Sequence, residues 1–118
     1  MLADLLPESN TLEMLLWILR LRRRVRVAGA SMIPTLSADD EVLVDTRAFE
    51  NRLPDMGEIV VAHRPDRPEV ILVKRVTGVL PDGRVILRGD NPSASTDSLD
   101  FGPVAPEYLV GKVTSRFA

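Results

Sequence analysis

Residues 69–88 read Glu69-Val70-Ile71-Leu72-Val73-Lys74-Arg75-Val76-Thr77-Gly78-Val79-Leu80-Pro81-Asp82-Gly83-Arg84-Val85-Ile86-Leu87-Arg88. Aliphatic and β-branched residues fill Glu69–Leu80 and again Arg84–Arg88, and the turn-forming Pro-Asp-Gly between them predicts a β-hairpin. On either side of this hairpin the same alternation of short apolar run and turn residues recurs. Arg24–Ala28, Glu41–Asp45 and Glu58–His63 precede it and Leu109–Arg116 comes after it, giving six candidate strands in all. Asp55-Met56-Gly57 and Arg64-Pro65-Asp66-Arg67-Pro68 are further breaks. The expected fold is mainly β, a compact β core with one short N-terminal helix.

That helix is signalled by Asn10 as N-cap, Glu13 three positions on to complete a capping box, and the apolar run Leu12–Leu21. Arg20, Arg22, Arg23, Arg24 and Arg26 come next. Such a run either forms the solvated end of a helix packed on the domain or docks on an anionic membrane or an acidic partner. Leu12–Leu21 as a helix would be roughly 15 Å long, against a hydrocarbon core of about 30 Å, so it does not read as a span. Its charges lie after the apolar part, unlike those of a secretory signal. A cytoplasmic location is therefore expected, with a peripheral membrane position as the alternative. The chain divides into an N-terminal helix and basic segment, 1–24, and a main domain, 25–118.

Fifteen Lys and Arg against seventeen Asp and Glu argue against a nucleic-acid partner, which selects for a basic excess. With no cysteine, disulfides and thiol chemistry are excluded. The single histidine, His63, is the only one on which a Ser-His-Asp site could be built, with Asp66 or Asp45 to orient it, and no multi-histidine metal site is available. His63 stands where a strand enters an Arg-Pro turn, a place suited to an exposed side chain.

Lys74 interrupts the longest apolar run of the chain and by alternation shares a face with Leu72 and Val76. A lysine so placed is either one that snorkels from an edge strand or one whose ammonium is destabilised enough to act as a base. Arg75 points to the other face and is expected to be solvated or paired. Ser31 lies in Gly29-Ala30-Ser31-Met32-Ile33-Pro34-Thr35-Leu36, where a glycine permits a sharp turn after a strand and a proline restricts the backbone beyond it. A serine in a loop usually bonds backbone, and it becomes a nucleophile only with a base beside it. The segment 89–98 is dense in hydroxyls and turn-formers. Its carboxylates do not match the twelve-residue calcium pattern, so no metal is expected.

Together these segments resemble the signal peptidase I superfamily of Ser-Lys proteases, from Val27 to Val113. The motifs are Gly29–Leu36, then Gly57-Glu58-Ile59-Val60-Val61 where the family usually has Gly-Asp, then Lys74–Val79. Last come Gly89-Asp90-Asn91, Ser95, Asp97-Ser98 and Phe101-Gly102-Pro103-Val104. The resemblance implies that Ser31 is the nucleophile, Lys74 the general base, Ser95 the hydroxyl that orients the lysine and Asp97 a support under the site. It also implies an oxyanion held by the Ser31 backbone N–H. Gly29 stands where some members place a second hydroxyl donor.

Acyl transfer of this kind needs no cofactor. Its protein substrate is expected to bind as an extended strand beside the Glu69–Leu80 strand or the Gly29 segment, with Met32, Ile33 and Pro34 in contact. Membrane members carry a spanning helix before the nucleophile motif and an extra β domain after the base. The short helix here and the fourteen residues between Lys74 and Gly89 make the chain most similar to the nickel-type superoxide dismutase maturation proteases. That likeness implies a dismutase precursor as partner. A minimal membrane-docked signal peptidase and an inactive β-rich interaction module are the alternatives.

Overall fold

In the computed structural model, which describes residues 6–94 and 101–117, one helix packs on a single six-stranded sheet. The elements are α1 (Thr11–Ile18), β1 (Arg23–Arg26), β2 (Glu41–Asp45), β3 (Ile59–Arg64), β4 (Arg67–Val79), β5 (Val85–Arg88) and β6 (Leu109–Arg116). Their order across the sheet is β1-β2-β6-β3-β4-β5, and every pairing is antiparallel. β2 and β6 keep the bounds expected from sequence. β4 starts earlier than expected, because only Pro65 and Asp66 form the turn and Arg64 pairs directly with Arg67.

β3 explains why its run is apolar without alternation. Ile59 and Val61 enter one buried cluster with Val27, Met32, Leu36, Val42, Val44, Val73 and Val113, whereas Val60 and Ala62 enter a second with Val76, Val85, Leu87 and Val104. A strand buried on both faces has no polar side to display. The hairpin at 81–83 forms as its sequence demands: Leu80 N–H donates to the Arg84 carbonyl at 2.8 Å, and Gly83 takes a φ of +90° that favours glycine.

Asn10 caps α1, its Oδ1 accepting the Glu13 N–H at 2.9 Å. The expected capping box is only half made, because the Glu13 carboxylate turns to the sheet, accepting from Thr114 and, at 3.1 Å, from Arg22. Trp17 also faces inward, edge-on to Phe117 with centroids 4.8 Å apart, and the Arg24 guanidinium lies 4.3 Å from the Phe117 ring. With those residues turned in, Leu12, Leu15, Ile18 and Leu19 point out, each at least 50% exposed. The helix thus presents an apolar face to the outside and a carboxylate to the body, the reverse of an ordinary packed helix.

Candidate active site

Lys74 stands in the middle of β4, paired with Val60 of β3, and is 3% exposed. Paired residues share a face, so its side chain lies on the Val60 side with Leu72 and Val76. Lysine is almost never buried to this degree unless it is partnered.

Ser31 is half-buried in the loop after β1. The loop base is closed by Val27 N–H to the Asp40 carbonyl, 2.8 Å, and Asp39 N–H to the Val27 carbonyl, 2.9 Å. Gly29 has a φ of +76°, a conformation that glycine takes without strain. Beyond the serine, Met32 and Leu36 are wholly buried and anchor the loop in the core. Asn91 clamps its tip: its backbone N–H donates to the Ser31 carbonyl at 2.8 Å and its Nδ2 to the Ala30 carbonyl at 3.1 Å.

The residue next to Asn91 completes the frame. Asp90 accepts from Arg75 Nε and Nη2, both at 2.9 Å, and from Thr35 Oγ1 at 2.6 Å, while Arg75 Nη1 donates to the Gly57 carbonyl at 2.7 Å. Burial pushes the Asp90 carboxyl up, but hydrogen bonds from Arg75 and Thr35 and the Arg75 charge outweigh it, leaving the group below its ordinary range. Arg75 is the chain neighbour of Lys74, Asp90 of Asn91, and Thr35 belongs to the serine loop. The four sequence motifs are therefore joined by one set of hydrogen bonds that registers the Ser31 loop against the strand of Lys74.

The other expected site residues fall out differently. Ser95 and Asp97 lie outside the described residues. Met32 cannot contact substrate, because its side chain is in the core. Ile33 is exposed, and Pro34 lines a separate hollow with Leu6, Thr35 and Arg116. Among the described residues His63 is not joined to a carboxylate. Its Nδ1 lies 2.7 Å from the Pro68 carbonyl oxygen, and Asp66 is taken by Arg64. Glu58, in the Gly-Asp position of the motif, is a structural hub, with Arg52 donating to both its oxygens at 2.9 Å and Lys112 within 3.1 Å. Thr35 and Asp90 were quoted within motifs and Arg75 was expected to be solvated or paired, but none of the three was given a role at the site from sequence. Their signal was the arginine alternating with a buried lysine and an aspartate in a turn, each needing a partner that only the fold supplies.

A groove of about 360 Å³ lies between β1 and the β3–β4 pair. One wall is Arg23, Arg24, Val25, Arg26 and Ala28; the other is Val61, Ile71 and Val73. Ala28 leads into the Ser31 loop, and Val73 directly precedes Lys74. β1 is the end strand of the sheet, and β5 pairs with β4 only from Arg75 onward. Among the described residues, the outer edge of β1 and the stretch of β4 before Lys74 thus carry backbone groups with no neighbouring strand.

A serine loop and a buried-lysine strand on a small antiparallel sheet define a candidate hydrolase, and comparison with known proteins gives the family. The model of the family described as signal peptidase, peptidase S26, matches residues 10–82, a span that includes Ser31 and Lys74. Mitochondrial inner membrane protease subunit 1 of Xenopus tropicalis is 33% identical, over 75% of this chain and 65% of the relative. Subunit 2 of Danio rerio is 32% identical, over 80% and 63%. Mitochondrial ATP-independent inner membrane protease subunit 1a of Arabidopsis thaliana is 30% identical, over 76% and 67%. The chain belongs to the signal peptidase, peptidase S26 family. It spans a little under two thirds of the first two of these relatives.

Proposed function

We propose that the chain is a serine endopeptidase, with Ser31 as nucleophile and Lys74 as general base, that removes an N-terminal extension from a precursor protein. The observation that carries this reading is the Arg75–Asp90–Asn91 frame, which holds the serine loop against the lysine strand. In the reaction, Lys74 in its neutral form takes the Ser31 proton as Oγ attacks the scissile carbonyl. It returns that proton to the leaving amine, then activates the water that hydrolyses the ester. The Ser31 N–H meets the oxyanion, Ser95 orients the lysine, Asp97 supports the loop, and Gly29 adds no side-chain donor. The substrate lies extended in the groove, bonding the open edges of β1 and β4.

The substrate we assign is a nickel-type superoxide dismutase precursor, in keeping with the chain's small catalytic core, and a cytoplasmic location goes with it. A second reading, cleavage of signal peptides at a membrane, is favoured by the outward apolar face of α1 beside Arg20–Arg26 and by relatives named as inner membrane proteases. Among the described residues no helix is long and apolar enough to cross a membrane.

One experiment separates the readings. The protein and its Ser31→Ala and Lys74→Arg variants are incubated with a nickel superoxide dismutase precursor and, separately, with a signal-peptide precursor in anionic vesicles. New N-termini are read by mass spectrometry. Only the wild type should trim the dismutase, since arginine stays protonated and cannot serve as base. Trimming of the vesicle substrate alone would move the assignment to the membrane. Equal behaviour of all three proteins on both substrates would leave an interaction module and remove the protease reading.

A further inference from the structure

The arginines of β1 are not equivalent. Arg24 and Arg26 both bond Glu41, and Arg22 is held by Glu13 and, at 3.8 Å, by Asp45. Arg23 alternates with them onto the face of Val25, which packs against the core, and it is exposed at the end of the groove farthest from Ser31. No side-chain hydrogen bond or ion pair joins its guanidinium to any described residue. The rest of that face is apolar, formed by Val25, Val61 and Val73. Glu69, two residues upstream of Ile71 on β4, does not line the groove.

We infer that Arg23 is a specificity-determining residue that takes an acidic side chain of the substrate at the far end of the groove. The inference rests on the proposed reading that a peptide strand occupies this groove. Ala28 is five positions beyond Arg23, about 16 Å along an extended chain. A substrate strand that reaches Ser31 past Ala28 therefore meets aliphatic surface next to the cut, then Arg26 and Arg24, which share Glu41, and, roughly five to eight residues away, an arginine whose guanidinium no described carboxylate holds. An aspartate or glutamate there replaces part of the water around the guanidinium with a carboxylate that fits its fork. An uncharged side chain does not.

The test is digestion of a denatured bacterial proteome, cut beforehand into peptides, by wild type, Arg23→Glu, Arg23→Gln and Ser31→Ala, with the cuts aligned from mass spectra. Wild type should enrich Asp and Glu about three- to fivefold at one position in that window, and the side of the cut on which it appears gives the strand direction. Arg23→Gln should lose the enrichment, and Arg23→Glu should replace it with Lys and Arg, while residues next to the cut stay unchanged in preference. An identical acidic preference in the Arg23 variants, or none in wild type, overturns the inference and leaves the protease reading standing. No wild-type cuts above the Ser31→Ala background overturn both.

Discussion

Arg75 and Asp90, fifteen residues apart in the chain, meet in a two-pronged ion pair with both N–O distances at 2.9 Å. Each side chain is mostly buried, at 14% and 18% exposure, and each has a second duty, Arg75 to the Gly57 carbonyl and Asp90 to Thr35. A guanidinium can serve both sites at once because its five donors are fixed in one plane.

Asp90→Asn should therefore cost about 1–3 kcal/mol of stability, less than a fully buried pair because some solvent reaches it. On the proposed mechanism it should also lower kcat/KM about tenfold or more by loosening the Ser31 loop. Arg75→Lys should do the same, since an ammonium cannot bond both oxygens and the Gly57 carbonyl in one plane. Urea unfolding and peptide-cleavage rates check the two effects separately. Unchanged cleavage in folded Asp90→Asn would deny the pair its positioning role.

Much of this was legible in advance, and the pattern of misses is physical. Strand bounds are set by local period and turn residues, so β2 and β6 came out as expected and the hairpin at 81–83 was unambiguous. Local sequence also marked Ser31 and Lys74. It did not separate Met32 from Ile33, because two apolar neighbours in a loop can be told apart only by what they touch. The orientation of α1 was illegible for a related reason: a helix apolar nearly all round has no preferred side. The partners that turn it, Thr114 and Phe117, lie at the other end of the chain.

Acid stability should depend on Glu58. Burial pushes its carboxyl up, but hydrogen bonds from Arg52, the Asp55 backbone and Lys112 outweigh this and hold its pKa at about 2, against an ordinary 4.5. A depressed folded pKa means the stabilisation is fully present above about 4.5 and is lost as pH falls toward about 2. After screening it amounts to about 1–2 kcal/mol. Glu58→Gln should be less stable at neutral pH by that order and should show a shallower loss between those two values, measured as the urea midpoint against pH.

Gly111 is where β6 crosses close to β2. A Cβ there would run into the Asp45 carbonyl oxygen and come within 2.8 Å of Val44 Cγ1. Because one obstacle is backbone, the sheet must shift, and Gly111→Ala should destabilise by about 1–3 kcal/mol. Gly78→Ala is the control, since its Cβ would meet only ordinary contact with Ile86 at 3.5 Å. A comparable loss in both would remove the clash as the cause, since the lower chain entropy of alanine in the unfolded state favours the fold at either site.

Trp17 is the single tryptophan, so its fluorescence reports α1 alone. The helix is held to the sheet by Trp17 against Phe117 and by Glu13 to Thr114 and Arg22, while Leu12, Leu15 and Ile18 face away. Phe117→Ala removes the aromatic partner and the ring beneath Arg24, and it should shift the emission to the red by several nanometres while leaving the sheet's far-ultraviolet signature in place. On the membrane reading, binding to anionic vesicles should persist in this variant, because Leu12, Leu15, Ile18 and Leu19 are untouched, and should fall at least tenfold in Leu15→Asp/Ile18→Asp. An unmoved emission in Phe117→Ala would mean that the Glu13 contacts suffice to hold the helix. Equal vesicle binding by the aspartate variant would assign the outward face to something other than lipid.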